Sequence, residues 1–213
     1  MKHFLPVTFF VVLAAAPAAL AQKWEVGVAG GGSFYTSKSF TNPLGNADAK
    51  LANGFIVSGW LGNNSGRLLG GELRYDYEQS SLQLSSGGTN VSFGAHTQAV
   101  HYDFVLNFAS HEARVSPFVA AGAGVKVYSG TGQEQAFQPL SNIALLTKTN
   151  QLKPMVSVGG GVKFRISSAI QFRAEVHDYL TPFPNSVIAP AQGSKVGGWL
   201  SDFVAQAGLA WTF

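Results

Sequence analysis

The chain has 213 residues, 14 Lys and Arg against 11 Asp and Glu for a formal charge of +3, 25 glycines and no cysteine. So small a charge, carried by scattered basic residues, argues against a nucleic-acid surface, and the missing cysteines exclude disulfides and thiolate metal sites. Only 12% of the residues are charged while 46% are hydrophobic, a poor balance for a water-facing surface, yet beyond the N-terminus no stretch approaches the roughly 18 uninterrupted apolar residues of a membrane helix.

Residues Met1 to Ala21 open with Lys2 and His3, continue through an apolar run from Phe4 to Leu13 and close on Ala19-Leu20-Ala21. A basic start, a short apolar region and an A-x-A ending predict a secretory signal peptide over 1–21 and a mature chain from Gln22. A retained anchor is the alternative, but the run is too short and Pro17 follows it too closely for a good spanning helix. Without Lys2 the charge falls close to +2, and residues 22–213 suit one domain.

The mature part alternates with period two, the mark of strands with unlike faces. First, Trp24, Val26, Val28 and Phe34 oppose Glu25, Gly27, Ala29 and Gly31. In GFIVSGWLG both faces are apolar, Phe55 and Val57 against Ile56 and Trp60, which leaves its direction open. In LLGGELRYDYE, Leu69, Leu73, Tyr75 and Tyr77 oppose Glu72, Arg74, Asp76 and Glu78. AVHYDFVLNF sets Val100, Tyr102, Phe104, Leu106 and Phe108 against His101, Asp103 and Asn107.

Further on, FVAAGAGVKVY opposes Val119, Ala121, Ala123, Val125 and Val127 to Gly122, Gly124 and Lys126. MVSVGGGVKFRI opposes Val156, Val158, Val162, Phe164 and Ile166 to Ser157, Gly159, Gly161, Lys163 and Arg165. FRAEVHDY opposes Phe172, Ala174 and Val176 to Arg173, Glu175 and His177. The last segment places Phe203, Ala205, Ala207, Leu209, Trp211 and Phe213 on one face. Eight strands are predicted.

Tight polar turns join the second strand to the third (Gly62 to Gly66), the fourth to the fifth (Ala109 to Arg114) and the sixth to the seventh (Ser167 to Ala169). Long connections run from Thr36 to Lys50, Ser129 to Leu152 and Thr181 to Gly198, and a hairpin around Ser85 to Thr89 is expected to protrude. Short and long links taking turns predict an all-β fold: an eight-stranded antiparallel up-and-down transmembrane β-barrel over 22–213, short turns on the periplasmic side and long loops outside.

In hydrocarbon every backbone polar group must be paired, which among β-structures requires a closed sheet. An Arg or Lys facing lipid near the midplane costs about 2 to 4 kcal/mol, so the charged faces turn inward and side chains fill the narrow lumen. The predicted interior network is Glu25, Glu72, Arg74, Asp76, His101, Asp103, Lys126, Lys163, Arg165, Arg173, Glu175 and His177. Paired charges tolerate burial, and Gly27, Gly31, Gly122, Gly124, Gly159 and Gly161 are expected to leave room for long side chains from opposite strands.

Read from the end, Gln206, Gly208, Trp211 and Phe213 fit polar-x-Gly-x-x-aromatic-x-aromatic, which resembles the C-terminal assembly signal of bacterial outer-membrane barrels. The mature chain resembles the small eight-stranded outer-membrane proteins of the type of the OmpA transmembrane domain and OmpX, and FRAEVHDYLTP is similar to the seventh-strand segment of that group. The resemblance implies a bacterial outer-membrane location, contact with outer-membrane lipid and lipopolysaccharide, recognition of the last strand by the barrel assembly machinery, and a monomer. No peptidoglycan-binding domain is expected after Phe213, so a cell-wall tethering role is not implied.

Some barrels of this class modify lipid A, which calls for a Ser or His system with an orienting carboxylate near the outer rim. The lipid A deacylase pattern of His and Ser two apart does not occur here, and His101 beside Asp103 and His177 beside Glu175 read as interior polar residues. GGGSF and GGGVKF lack the helix of a phosphate loop, and His96, His101 and His111 match no metal spacing, so no cofactor is expected. The third long loop carries Phe137, Leu140, Ile143, Leu145 and Leu146, too apolar for a solvated loop. It is expected to fold over the mouth, to bind an external partner, or to pack on itself.

The expected function is therefore non-enzymatic: a plugged barrel whose loops serve envelope integrity, surface binding or adhesion. A narrow porin-like channel and a lipid A-modifying enzyme are the alternatives. A soluble lipocalin-like barrel inverts the pattern, needing more charge outside than the sequence provides.

Overall fold

The computed structural model describes residues 24–42, 45–64, 68–110, 113–133, 138–194 and 196–213. The predicted signal peptide, Gln22, His111 and Phe137 lie outside the described residues. Among those described there is no helix, and the strands in chain order are β1 (Trp24–Tyr35), β2 (Lys38–Asn42), β3 (Gly45–Leu51), β4 (Gly54–Asn63), β5 (Leu69–Ser86), β6 (Thr89–Asn107), β7 (Val115–Gly130), β8 (Ala144–Leu146), β9 (Asn150–Arg165), β10 (Ile170–Pro182), β11 (Ile188–Pro190) and β12 (Trp199–Thr212).

Eight of these close a ring: β1, β4, β5, β6, β7, β9, β10 and β12 each pair antiparallel with their neighbours, and β12 returns to β1. The seam is sealed at its end by Trp24 and Phe213, which exchange N–H···O bonds of 3.1 and 2.9 Å. Closure leaves no unpaired edge within the ring, the condition for a sheet surrounded by hydrocarbon. The strand ends joined by the three predicted tight turns fall at one end and those joined by the long connections at the other, and Ser65, Gly66 and Glu112 of those turns lie outside the described residues.

The alternation has the expected physical result. Outward side chains include Val26, Val28, Leu73, Tyr75, Phe104, Val158 and Leu209, all between 44 and 69% exposed, so the outer wall is an apolar band. The ambiguous second strand is resolved by its partners: Ile56, Ser58 and Trp60 point inward and Phe55, Val57 and Leu61 outward. Trp60 stays inside because its Nε1 donates to Glu25 Oε1 at 2.9 Å, and a buried indole needs such an acceptor.

At the loop end the pattern inverts within single strands. Along β5 the apolar residues Leu69, Leu73 and Tyr75 face out, but beyond Glu78 the apolar residues Leu82 and Leu84 face in and are at most 1% exposed. β6 does the same, with Phe93 and Ala95 inside and Val100, Tyr102, Phe104 and Leu106 outside. The backbone keeps its period of two throughout, so the change of parity marks a change of solvent, from hydrocarbon to water, near Glu78 and Gln79.

The hairpin between these strands does protrude: pairing runs to Ser86 and Thr89, and Gly87 and Gly88 turn it with φ of 53° and 85°, values glycine adopts without strain. The first long connection forms the β2–β3 hairpin, whose β3 pairs with Asp48 to Leu51 against Leu82 to Ser85 of β5. The third and fourth join through β8 and β11.

Candidate functional site

The lumen is filled in layers. Nearest the turn end, Arg173 reaches Glu72 at 2.5 Å and Glu25 at 3.5 Å and also pairs with Glu175. Arg74 holds both oxygens of Glu175, at 2.5 and 3.2 Å, and touches Glu72 at 3.3 Å. Lys163 lies 3.6 Å from Glu25 and 3.8 Å from Glu72. The guanidinium groups of Arg74 and Arg173 sit 5.0 and 5.1 Å from the Trp60 ring, and Arg173 lies 4.3 Å from Phe118. The desolvation cost of each charge is thus met by opposite charges, forked hydrogen bonds and ring faces.

Above it a circuit of polar side chains closes on itself. Asp103 meets His101 at 2.9 Å, and His101 meets Asp76 at 2.9 Å. The hydroxyl of Ser58 lies 2.5 Å from Asp76 and 2.7 Å from Gln206, and Gln206 donates to Glu175 at 2.9 Å. His177 is 3.5 Å from Glu175, and Ser157 is 3.4 Å from His177 and 3.3 Å from Asp103. The residues come from β4, β5, β6, β9, β10 and β12.

β1 and β7, the ring strands that contribute nothing to this circuit, carry glycine there. A Cβ on Gly122 would collide with Asp103, one on Gly124 with His101, and one on Gly31 with Gln206. The same holds for Gly159 against His177, Gly161 against Glu175 and Gly27 against Trp60. The glycines therefore make room for the cross-strand neighbour, not for side chains from the opposite wall as the sequence suggested. Adjacent strands are under 5 Å apart, so the crowding begins beside the glycine.

A third layer surrounds Lys126, which donates to Glu78 at 2.8 Å and Asp202 at 2.6 Å. The rings of Tyr35, Tyr179 and Tyr128 stand 5.0, 5.4 and 5.8 Å from its Nζ, and Tyr35 also bonds Glu78. Tyr128 and Thr181 share a 2.7 Å bond just above. The loop end is then covered by an apolar core that includes Phe40, Leu51, Leu82, Leu84, Phe93, Leu140, Ile143, Leu146, Phe183 and Ile188. Leu140, Ile143 and Leu146 of the third loop are buried in this cap and Leu145 is 40% exposed.

Of the residues singled out from sequence, Glu25, Glu72, Arg74, Asp76, His101, Asp103, Lys126, Lys163, Arg173, Glu175 and His177 lie buried in these layers. Arg165 is not part of them: it stands half-exposed at the turn end with its Nε donating to Ser167 O at 3.3 Å. Gln206 belongs to the interior circuit, Gly208 packs against Ala29, and Trp211 and Phe213 face outward with ring centroids 6.2 Å apart. The predicted network leaves out Ser157, which the alternation had put on the inward face, and Trp60, whose face it left open, and the sequence reading passed over Ser58, Tyr35, Tyr179 and Asp202. The signal for Asp202 was its parity with Gln206 opposite the apolar face of the last strand.

Ser157, His177 and Glu175 combine a hydroxyl, an imidazole and a carboxylate, but each is at most 4% exposed and the space around them is taken by ion pairs. A nucleophile needs room for a reacting carbonyl, and this one has none. Burial also separates charge: Glu25, Glu72, Asp76, Glu78, Asp103, Glu175 and Asp202 are inside with only Arg74, Lys126, Lys163 and Arg173. Among the described residues outside the lumen, Lys38, Lys50, Arg114, Lys148, Lys153 and Arg165 therefore stand against only Asp48 and Asp178.

Solved structures share this architecture. The chain is similar to Neisserial surface protein A (13% identity, TM-score 0.55, 89% of this chain and 97% of that chain). It is similar to the outer membrane protein OprG from Pseudomonas aeruginosa (8% identity, TM-score 0.59, 90% and 97%). It also resembles the outer membrane protease OmpT from Escherichia coli (8% identity, TM-score 0.50, 91% and 98%). At such identities the likeness is one of fold, and no curated protein sequence matches the chain. The model of the outer membrane protein beta-barrel domain matches residues 6–213, and the chain belongs to that family.

Proposed function

We propose that the protein is an exported, monomeric, non-enzymatic barrel of the bacterial outer membrane, closed to passage and acting through its outer surface in envelope integrity or surface binding. The observation that carries this reading is the blocked axis: two charge clusters, a polar circuit and an apolar cap follow one another through the lumen. The third loop spends most of its apolar residues on that cap, which favours a rigid covered mouth over a loose binding arm. In this reading residues 1–21 are removed, the tight turns face the periplasm, and Gln206, Gly208, Trp211 and Phe213 present the last strand to the assembly machinery.

Planar bilayers containing the folded protein test the closure. Absence of reproducible conductance steps fits the reading, whereas steps that disappear in Arg74→Ala or Glu175→Ala establish a narrow channel instead. Lipid A mass spectra from cells with and without the gene test the enzymatic alternative, and identical spectra are expected. N-terminal sequencing of the membrane-extracted protein is expected to begin at Gln22.

A further inference from the structure

The polar circuit holds one histidine between two acceptors. His101 Nδ1 stands 2.9 Å from Asp103 Oδ1, and His101 Nε2 stands 2.9 Å from Asp76 Oδ2. An ionised carboxylate accepts hydrogen bonds and donates none, whereas a neutral imidazole donates from one nitrogen only. Both contacts are made at once only when both ring nitrogens carry hydrogen, as in an imidazolium. The remaining oxygens face donors as well: Asp76 Oδ1 meets the Ser58 hydroxyl at 2.5 Å and Asp103 Oδ2 the Ser157 hydroxyl at 3.3 Å. Each carboxylate is thus arranged as an acceptor on both sides.

The charges around the ring fit this arrangement. Among the described residues, seven buried carboxylates share four buried Lys and Arg side chains, so the lumen is short of cations. On β5, Arg74 lies opposite His101 in the strand register, but its guanidinium is taken by Glu175 and Glu72. On β7, Gly124 leaves the room His101 needs, and Lys126 is committed to Glu78 and Asp202. From β10, Tyr179 meets the ring edge-on with centroids 5.2 Å apart, and His177 lies 3.9 Å from Asp103. His101, Asp76 and Asp103 are at most 1% exposed, so bulk water cannot replace a donor that the ring withdraws.

We propose that His101 is a pH-sensitive lock on the barrel interior. With both ring protons it joins Asp76 to Asp103 and closes the circuit that runs through β4, β5, β6, β9, β10 and β12. When it gives one up, one carboxylate is left facing a ring lone pair, and the circuit opens at that point. The lock depends on the packing of the lumen and is independent of what the outer surface binds.

Nuclear magnetic resonance of the folded protein in micelles, with nitrogen-labelled histidine, tests this directly. The His101 ring is assigned in the wild type through its contacts with Tyr179 and Gly124. It is expected to carry hydrogen on both nitrogens at about neutral pH and to lose one as the pH is raised towards about 10. The backbone amides of Ser157 and Gln206, linked to the ring through Asp103 and through Ser58 and Asp76, are expected to shift over the same range. A ring with one bare nitrogen at neutral pH overturns the proposal, and so does proton loss that leaves both amides unmoved.

Urea midpoints of the wild type and His101→Gln, compared from about pH 6 to about pH 10, give a second readout. The clasp exists only with both protons in place, so its contribution is present at low pH and lost as pH rises. The gap between the two proteins is therefore expected to be widest at the acid end and to shrink as the pH rises. A gap that stays constant or widens refutes the lock. If His101→Gln does not fold, the wild-type spectra decide alone.

Discussion

Arg74 on β5 and Glu175 on β10 stand on opposite strands of the ring, 101 residues apart in the chain, and are joined across the lumen by hydrogen bonds of 2.5 and 3.2 Å. Neither side chain is more than 1% exposed. The pair spans the full width of the barrel and so ties together two walls that share no backbone bond. Removing one partner leaves the other buried charge with a single remaining counter-charge, Glu72 for Arg74 or Arg173 for Glu175, and breaking a buried pair costs up to about 3 to 5 kcal/mol. Arg74→Met and Glu175→Gln are each expected to lower the unfolding free energy of the refolded protein in micelles, measured by urea titration, by up to that much. The double variant is expected to lose less than the sum, because contacting residues are not additive.

Lys126 provides a second, independent case. Its ammonium is the cation placed between Glu78 and Asp202 inside a cage of tyrosines. Lys126→Met keeps the length of the side chain and removes the charge, so both carboxylates lose their partner. The expected outcome is a destabilisation at least as large as that of Arg74→Met, read by loss of the compact band on unboiled gels.

The glycines on β7 allow a paired comparison on neighbouring residues. Gly124→Val places atoms on His101 and on the carbonyl of Val100, whereas Ala123 faces outward on the same strand. Overpacking of this kind costs roughly 1 to 3 kcal/mol or more, while a surface change away from such contacts stays within about 0.5 kcal/mol. Gly124→Val is expected to assemble poorly and Ala123→Val normally, measured as the heat-modifiable fraction in membranes.

Because the chain contains no cysteine, single-cysteine spin labels can map the change of parity on β5. Labels at Leu73 and Tyr75 are expected to be accessible to oxygen dissolved in lipid, and labels at Gln79 and Ser81 to a water-soluble nickel reagent. If labels at Ser81 and Gln83 instead report hydrocarbon, the boundary lies higher than the side-chain pattern indicates.

Much of this could be read in the primary structure, for an identifiable reason. A barrel wall separates two media along every strand, so Arg74 against Leu73, or Glu175 against Ala174, reveals orientation one residue at a time. The second strand hid its direction because an inward tryptophan looks apolar. Only the position of Glu25 on the neighbouring strand explains why Trp60 belongs inside. Asp202 and Tyr179 escaped notice for a similar reason, since their worth lies in partners on distant strands.

Alternation, turn spacing and the scarcity of charge determined by themselves that this protein is a closed antiparallel sheet with ionised residues within. Those properties depend on each residue and its immediate neighbours and on the medium each face meets. Which carboxylate holds which cation, why the glycines stand beside His101 and Gln206, and how the third loop becomes a lid of apolar side chains were decided only by the tertiary structure. Such contacts depend on the register between strands far apart in the chain, and on a lumen so narrow that each side chain constrains the next.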